Sequence, residues 1–114
     1  MMTRQIPVKP TYANTFFKRL KGLLGTHILP RERGLLLEPC SSIHTWGMNY
    51  PIDAVFLSEN NEVLHIECEL APNRWGKQIR EARKVLEIKA GLVKTLEIQI
   101  GDRIEFMEEM GGSC

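Results

Sequence analysis

Two runs of β-forming residues, separated by three turn-forming residues, constrain the fold more than any other feature of the sequence. The runs cover residues 52–58 and 62–70, and a Glu-Asn-Asn segment at 59–61 lies between them. Asparagine tolerates the positive φ angles that tight hairpin turns need. In the second run, the alternation of side chains predicts a core-facing set made of Leu64, Ile66, Cys68 and Leu70. The sequence therefore predicts a β-hairpin with its Leu64 side against the core.

Shorter patterns predict the remaining elements. Further strands are expected at 34–38, 84–90 and 103–107, where apolar residues cluster between turn-forming residues. Apolar residues at helical spacing predict a helix at 15–24, and a second, shorter helix is predicted at 91–98. Residues 71–78 contain proline, asparagine and glycine and are predicted to form a loop. These elements indicate an α+β fold, with a curved antiparallel sheet of about five or six strands, an N-terminal helix and a short second helix.

Length and composition are those of one globular domain. The chain has 114 residues, of which 43% are hydrophobic and 25% charged. A chain of this size can bury one hydrophobic core. We expect a single domain over 1–114, with a core at about 13–107 and frayed ends at 1–5 and 111–114.

The charge and the apolar runs narrow the range of partners. A net charge of +1 gives no overall field that would attract nucleic acid or an anionic membrane surface. Two stretches, 1–25 and 73–84, are locally basic, but the second has Trp75 as its one aromatic residue, whereas binders of single-stranded nucleic acid usually offer several. No apolar run matches a membrane span or the core of a signal peptide. We expect no membrane or nucleic-acid partner and a cytoplasmic location, in which the three cysteines stay reduced.

The segment from Cys40 to Asp53 concentrates small hydroxyl residues, a histidine, large aromatic residues, a glycine and a proline between two predicted strands. Serine, threonine and asparagine satisfy backbone groups in irregular chain. Gly47 allows a close approach or a positive φ, and Pro51 fixes the entry into the next strand. We expect this segment to form a rigid binding wall.

Several short motifs follow one another in a specific order along the chain. They are RLKGLLG at 19–25, CSSIHTWGM at 40–48, PIDAVFL at 51–57, LE at 86–87 with AG at 90–91, and GD at 101–102. In this order they resemble the uncharacterised family called domain of unknown function 192, from about residue 13 to residue 106. The resemblance implies a compact α+β domain with a strongly bent, barrel-like antiparallel sheet and no assigned activity. Many members look exported and carry a signal peptide, and this chain departs from them in that respect.

The residues that recur in this family correspond here to Arg19, Gly22, His44, Met48, Asp53 and Glu87. The resemblance leaves open whether they bind a ligand, react or hold the fold together.

Cys40 and His44 form a C-x3-H pair, a spacing that suits either two metal ligands or a thiol and its base. A structural zinc site needs four ligands, and no second paired spacing is found among His27, His65, Cys68 and Cys114. We therefore predict no metal site and no cofactor. A nucleophilic Cys40 stays as an alternative to Cys40 as a small buried residue after Pro39.

Asp53 and Glu87 are candidate polar groups of the core. Asp53 begins a strand that is otherwise apolar, so its carboxylate either accepts hydrogen bonds from backbone donors, meets a cation such as Arg19, or anchors a ligand. Glu87 lies between Leu86 and Ile88 and faces away from both in a strand. It is either a solvated residue or a carboxylate paired with Asp53.

These observations favour a small, non-enzymatic ligand- or peptide-binding accessory domain. Its predicted pocket is polar and aromatic, and is formed by His44, Thr45, Trp46 and Met48, with Arg19, Asp53 and Glu87 as polar anchors. The ligand would be a small, partly apolar molecule or a peptide segment. The alternative is a small hydrolase or transferase that uses Cys40 with His44, or Asp53 with Glu87. The sequence leaves the oligomeric state open.

Overall fold

The computed structural model describes residues 2–13 and 33–106, and the helix predicted at 15–24 lies outside these ranges. The described residues form β1 (Thr3–Ile6), β2 (Lys9–Ala13), β3 (Arg33–Leu37), β4 (Ser42–His44), β5 (Ile52–Leu57), β6 (Val63–Leu70), β7 (Trp75–Gln78), β8 (Lys84–Lys89), α1 (Leu92–Thr95) and β9 (Arg103–Phe106). The strands predicted at 34–38, 52–58, 62–70, 84–90 and 103–107 are confirmed as β3, β5, β6, β8 and β9. The described part of the fold is therefore predominantly β.

Five strands form a mixed sheet in the order β2-β3-β8-β5-β6. β2 pairs with β3 in parallel, and the other neighbours pair antiparallel. β1 and β9 form a separate parallel pair, and β4 and β7 form an antiparallel pair that we call the β4–β7 ribbon. The expectation of one antiparallel, barrel-like sheet is corrected, because two pairings are parallel and the sheets of the described residues stay open. The segment 14–32, which joins β2 to β3, is long enough for the crossover that a parallel pair requires.

β5 lies inside the five-stranded sheet and is buried along its whole length. Ala54 and Phe56 belong to one hydrophobic cluster, and Val55 and Leu57 belong to a second cluster. Successive side chains of a strand point to opposite faces, so the two clusters cover the two faces of the sheet. Because both faces are buried, every residue of the strand except Asp53 is apolar.

The turn between β5 and β6 confirms the predicted hairpin. Asn61 has a φ of 66°. The Ser58 hydroxyl accepts hydrogen bonds from the backbone N–H groups of Asn60 and Glu62. An asparagine thus takes the positive φ angle of the turn, as the sequence predicts.

A bulge near the start of β6 alters the predicted alternation. Val63 pairs with Leu57, whereas His65 pairs with Phe56, so Leu64 is an additional residue on the β6 side. A second register shift lies between the pairs Ile52–Leu70 and Ala54–Glu67. Leu64 and Leu70 pack against one cluster, Ile66 packs against the other, and Cys68 is exposed. The single core-facing set predicted for this strand therefore does not form.

Three other segments differ from the prediction. Residues 3–6, expected largely within a frayed end, form β1, and residues 71–78, expected to be a loop, contain β7. The helix predicted at 91–98 is limited to α1. β1 and β7 each pair with a strand that is distant in sequence, which a local pattern does not reveal. Among the residues that the structure describes, no helix is both long and apolar enough to cross a membrane.

A partly buried ion pair joins β1 to the turn before β9. The Arg4 Nε group donates to Asp102 Oδ2 at 2.5 Å, and the Gln99 N–H donates to the same oxygen at 2.9 Å. Burial alone would raise the pKa of Asp102, but the hydrogen bonds from Gln99 and Arg4 and the Arg4 charge outweigh it and hold this pKa below its usual value. Asp102 is therefore ionised at neutral pH and fixes β1 against the rest of the domain.

We expect the variant Asp102→Asn to lower the free energy of unfolding by about 1.5–3 kcal/mol at neutral pH, the range for a hydrogen bond to a charged group. Because the pKa of Asp102 is depressed in the folded state, its contribution is present above the unfolded-state pKa of about 3.9 and is lost as the pH falls through the folded-state value. Urea unfolding should show the difference from wild type shrinking below about pH 4.

The matched control is Glu105→Gln, which removes an exposed carboxylate from β9. This variant should change the free energy of unfolding by less than about 0.5 kcal/mol. A loss for Asp102→Asn that stays constant down to about pH 2 would contradict the ionised pair.

Candidate functional site

The residues proposed from the sequence as one site lie in different environments. Thr45, Met48, Asp53 and Glu87 are buried, Trp46 is exposed and His44 is half-buried. Arg19, and with it the predicted Arg19–Asp53 pair, lies outside the described residues. The structure therefore divides the described part of the set into a buried group and a pair of rings, His44 and Trp46, that reach the surface.

Asp53 is completely buried and binds backbone. Its Oδ1 accepts a hydrogen bond from the Glu69 N–H at 2.8 Å, and its Oδ2 accepts from the N–H groups of Gly91 at 3.0 Å and Val93 at 2.9 Å. Glu69 and Gly91 have φ angles of 51° and 92°. Of the readings considered for Asp53, the acceptance of backbone hydrogen bonds is the one observed. The carboxylate ties β5 to β6 and to the start of α1.

Glu87 lies on the other face of the five-stranded sheet. In the register of β5 and β8, Ala54 is opposite Glu87, and Asp53 is opposite Ile88. Residues directly opposite in an antiparallel pair share a face, so Asp53 and Glu87 point to opposite faces. The structure thus does not bring the two carboxylates together, and Glu87 is 0% exposed rather than solvated.

Thr45, which follows β4, contacts the loop before β7 through a buried hydroxyl. Its Oγ1 donates to the Ala71 carbonyl at 2.6 Å and accepts from the Arg74 N–H at 2.9 Å. Its own N–H donates to the Arg74 carbonyl at 2.8 Å, and its carbonyl accepts from the N–H groups of Asn73 and Met48. Because one buried residue satisfies donors and acceptors from both segments, it fixes their relative position. We call this set of contacts the Thr45 clamp.

Two further features hold the ribbon. The Gly47 N–H donates to Asn73 Oδ1 at 2.9 Å, and both residues have positive φ angles, of 80° and 59°. A Cβ atom at Gly76 would lie 3.0 Å from the Ile43 carbonyl oxygen and 3.1 Å from Glu67 Oε1. Only glycine therefore lets β7 approach β4 and β6 this closely without displacement.

The ribbon presents three rings that we call the aromatic surface: His44, Trp46 and Trp75. The Trp75 ring centroid lies 5.8 Å from the centroids of His44 and of Trp46, and both contacts are edge-to-face. Trp46 is 46% exposed and Trp75 is 73% exposed. The Trp46 N–H donates to His44 Nδ1 at 3.3 Å. A neutral His44 in this arrangement carries its proton on Nε2.

Basic and acidic residues both lie near the aromatic surface. Arg74 and Lys77 are exposed on either side of Trp75. Glu67, on the neighbouring strand, accepts a hydrogen bond from the Lys77 backbone N–H at 2.7 Å, and Glu69 is exposed further along β6. The first basic stretch predicted from the sequence lies mostly outside the described residues.

Cys40 lies at the other end of the ribbon. It lines an open cleft whose walls are formed by Pro39, Cys40, Ser41, Ser42, Arg80, Ala82 and Arg83. The Cys40 thiol donates to the Ser42 carbonyl at 2.9 Å. His44 is not among the lining residues, and its ring packs against Trp75 instead. Within 2–13 and 33–106, no three side chains of His, Cys, Asp or Glu come together in a way that could hold a metal ion.

The sequence matches a known protein family. The family model of DUF192, described as "Uncharacterized ACR", matches residues 2–106. A UPF0127 protein of Pyrococcus furiosus is 30% identical over 108 residues, which cover 90% of this chain and 90% of that protein. A UPF0127 protein of Thermococcus sibiricus is 33% identical over 105 residues, which cover 85% of this chain and 65% of that protein. The predicted resemblance is confirmed.

Two solved structures share the fold. A protein of unknown function from Novosphingobium aromaticivorans is 24% identical with a TM-score of 0.70, over 82% of this chain and 71% of that chain. A proposed transcription regulator from Sinorhizobium meliloti is 24% identical with a TM-score of 0.74, over 84% of this chain and 79% of that chain. At this level of identity, the likeness extends to the fold alone.

The Thr45 clamp predicts the effect of two substitutions. Thr45→Val leaves the Ala71 carbonyl and the Arg74 N–H without their side-chain partner in a buried position, so the free energy of unfolding should fall by about 1–3 kcal/mol. Thr45→Ser keeps the hydroxyl and should recover most of this loss. Urea unfolding measures both values. Equal stabilities for the valine and serine variants would show that the hydroxyl does not form the clamp.

Proposed function

The chain belongs to the DUF192 family, and we propose that it is a non-enzymatic binding domain that holds a peptide segment on the aromatic surface. The observation that carries this proposal is the pair of exposed indoles, Trp46 and Trp75, in edge-to-face contact on a fixed ribbon. Tryptophan is among the residues that contribute most to binding energy at protein interfaces.

The exposure of two adjacent indoles is the first support for the proposal. Each of them keeps a large apolar area in water, which costs free energy that a partner's apolar side chain would recover on binding. Neither ring belongs to the two hydrophobic clusters of the described residues. Rings left outside both clusters are typical of a contact surface.

The rigidity of the surface is the second support. The Thr45 clamp and the Gly47–Asn73 hydrogen bond fix the two chain segments that carry Trp46 and Trp75. A partner therefore does not have to order these loops on binding, and the conformational entropy lost in the complex is reduced.

The two basic residues beside Trp75 favour acidic groups in a peptide on that side of the surface. Arg74 and Lys77 flank Trp75, and their side chains would meet carboxylates on either side of an apolar anchor residue. Glu67 and Glu69 on β6 would disfavour acidic residues on that side. The occupant we propose is thus a peptide with one large apolar side chain next to aspartate or glutamate.

The arrangement of the polar groups supports a binding rather than an enzymatic role. Asp53 accepts three backbone hydrogen bonds, and Glu87 points to the opposite face of the sheet. His44 contacts the indole of Trp75, outside the cleft that Cys40 lines. The two catalytic pairs considered from the sequence therefore gain no support from these positions. The cytoplasmic location stays a prediction.

Selection from a random dodecapeptide library on immobilised wild-type protein tests the proposal. Enriched peptides should combine a large apolar residue with acidic residues. Their affinity, measured by fluorescence polarisation, should fall about thirtyfold or more for Trp75→Ala, equal to about 2 kcal/mol for a central interface residue. Lys77→Gln should cause a smaller loss that disappears at high salt.

The matched control is Tyr12→Ala, which removes an exposed aromatic residue from β2, at the opposite edge of the five-stranded sheet from β6. It should leave the affinity unchanged. Selection that enriches no peptides, or enriches peptides that bind Trp46→Ala and Trp75→Ala as well as wild type, would contradict the aromatic surface. Enrichment of basic peptides would contradict the acidic occupant.

A further inference from the structure

The cleft at the Cys40 end of the ribbon has the composition of an anion site. Its volume is about 410 Å³, within the range of small-molecule sites. Its walls are formed by Pro39, Cys40, Ser41, Ser42, Arg80, Ala82 and Arg83. We infer that this cleft binds a small molecule through an oxyanion group, a carboxylate or a phosphate, placed between Arg80 and Arg83. This inference does not depend on the aromatic surface binding any partner.

Backbone hydrogen bonds fix both walls of the cleft. The Cys40 N–H donates to the Arg83 carbonyl at 3.0 Å, and the Ile79 N–H donates to the Ser41 carbonyl at 2.8 Å. The Arg83 N–H in turn donates to the Leu57 carbonyl at 2.8 Å, at the end of the buried strand β5. The two walls are therefore joined to each other and to the five-stranded sheet, and the cleft is formed in advance of any ligand.

The charge of the lining is positive among the residues that the structure describes. Arg80 and Arg83 are both exposed, and no carboxylate of residues 2–13 and 33–106 lines the cleft. Neither guanidinium forms an ion pair with a residue that the structure describes, and the Arg83 Nη1 contact to the Ala82 carbonyl, at 3.5 Å, is long. Guanidinium groups bind carboxylate and phosphate oxygens with several parallel N–H donors. Two of them on one cleft select for an anion.

Small polar side chains complete the lining. Ser41 and Ser42 each bring a hydroxyl that can donate to an oxyanion oxygen, and the Cys40 thiol lies between them and Pro39. Glu38 and Glu81 are exposed near the cleft in sequence but do not line it. The described side chains of the lining thus offer hydrogen-bond donors to an anionic ligand.

Cys40 serves as a reporter for this inference, because it lies on the wall of the cleft. Iodoacetate and iodoacetamide both react with a thiolate, whose sulfur forms a bond to carbon as iodide leaves. The two reagents differ in charge, so the ratio of their rates at one cysteine cancels the effect of that cysteine's pKa. Cys68 is the internal control, because the carboxylates of Asp53 and Glu69 make its surroundings negative. Burial, and then these two charges, raise the pKa of its thiol.

We expect the iodoacetate-to-iodoacetamide rate ratio, measured by peptide-resolved mass spectrometry, to be about fivefold higher at Cys40 than at Cys68, as expected for attraction by two nearby unit charges in a solvated site. The double variant Arg80→Gln, Arg83→Gln should lower the ratio at Cys40 towards that at Cys68. Lys94→Gln, which removes an exposed charge from α1, should not change the ratio at Cys40.

Inorganic phosphate or acetate, added at constant ionic strength, should slow the reaction of iodoacetate at Cys40. The stronger of the two competitors identifies the group that the cleft binds.

Equal ratios at Cys40 and Cys68, or a ratio at Cys40 that the double variant leaves unchanged, would overturn the inference. If neither reagent modifies Cys40, the amide resonances of Ser41 and Ser42 decide the question during titration with phosphate and with acetate. Shifts at these amides that saturate in wild type and vanish in the double variant support the site. Their absence in wild type refutes it.

Discussion

The buried carboxylate of Asp53 is the interaction on which the described fold depends. It lies on β5, a strand buried on both faces inside the five-stranded sheet, where an unsatisfied charge would be strongly unfavourable. Three backbone N–H groups, from Glu69, Gly91 and Val93, surround it. These donors belong to the edge strand β6 and to the start of α1, so a single side chain joins three elements that hydrophobic packing alone would leave less precisely aligned.

The Thr45 clamp is a second case in which one buried polar side chain joins separate backbone segments. A buried hydroxyl satisfies the backbone of the neighbouring loop, and the indoles on both sides of it are left exposed. The buried polar residues thus organise backbone, whereas the exposed residues are available to a partner. This division separates the aromatic surface at the His44 end of the ribbon from the basic cleft at the Ser42 end. In our account the two ends have different ligands because one offers apolar rings and the other offers guanidinium groups.

Strong local patterns were sufficient to predict part of this structure. The run that became β5, the turn at Asn61 and the strand after it follow from side-chain properties within a few residues, and the structure has them where expected. The segment 40–53, expected to be irregular, contains β4 and the first two residues of β5 and is irregular between them. The order of motifs along the chain also sufficed to identify the family.

The remainder depends on contacts between distant residues. The pairing of β1 with β9 and of β4 with β7 has no local signal, and the bulge at Leu64 changes which residues face each cluster. The opposite orientations of Asp53 and Glu87 follow from a register that the sequence does not encode in any short pattern. The contact between Trp46 and Trp75 likewise depends on the pairing of β4 with β7. Both residues were expected in irregular segments, but Trp75 begins β7, and no local pattern places the two rings together.

Buried polar side chains stabilise this fold, whereas the exposed indoles do not, and urea unfolding of Asp53→Asn and of Trp75→Ala in parallel tests this difference. We expect the free energy of unfolding to fall by about 3 kcal/mol or more for Asp53→Asn, because an amide cannot replace a carboxylate that accepts three backbone hydrogen bonds. For Trp75→Ala we expect a change within about 0.5 kcal/mol. A stable Asp53→Asn variant together with a strongly destabilised Trp75→Ala variant would contradict it.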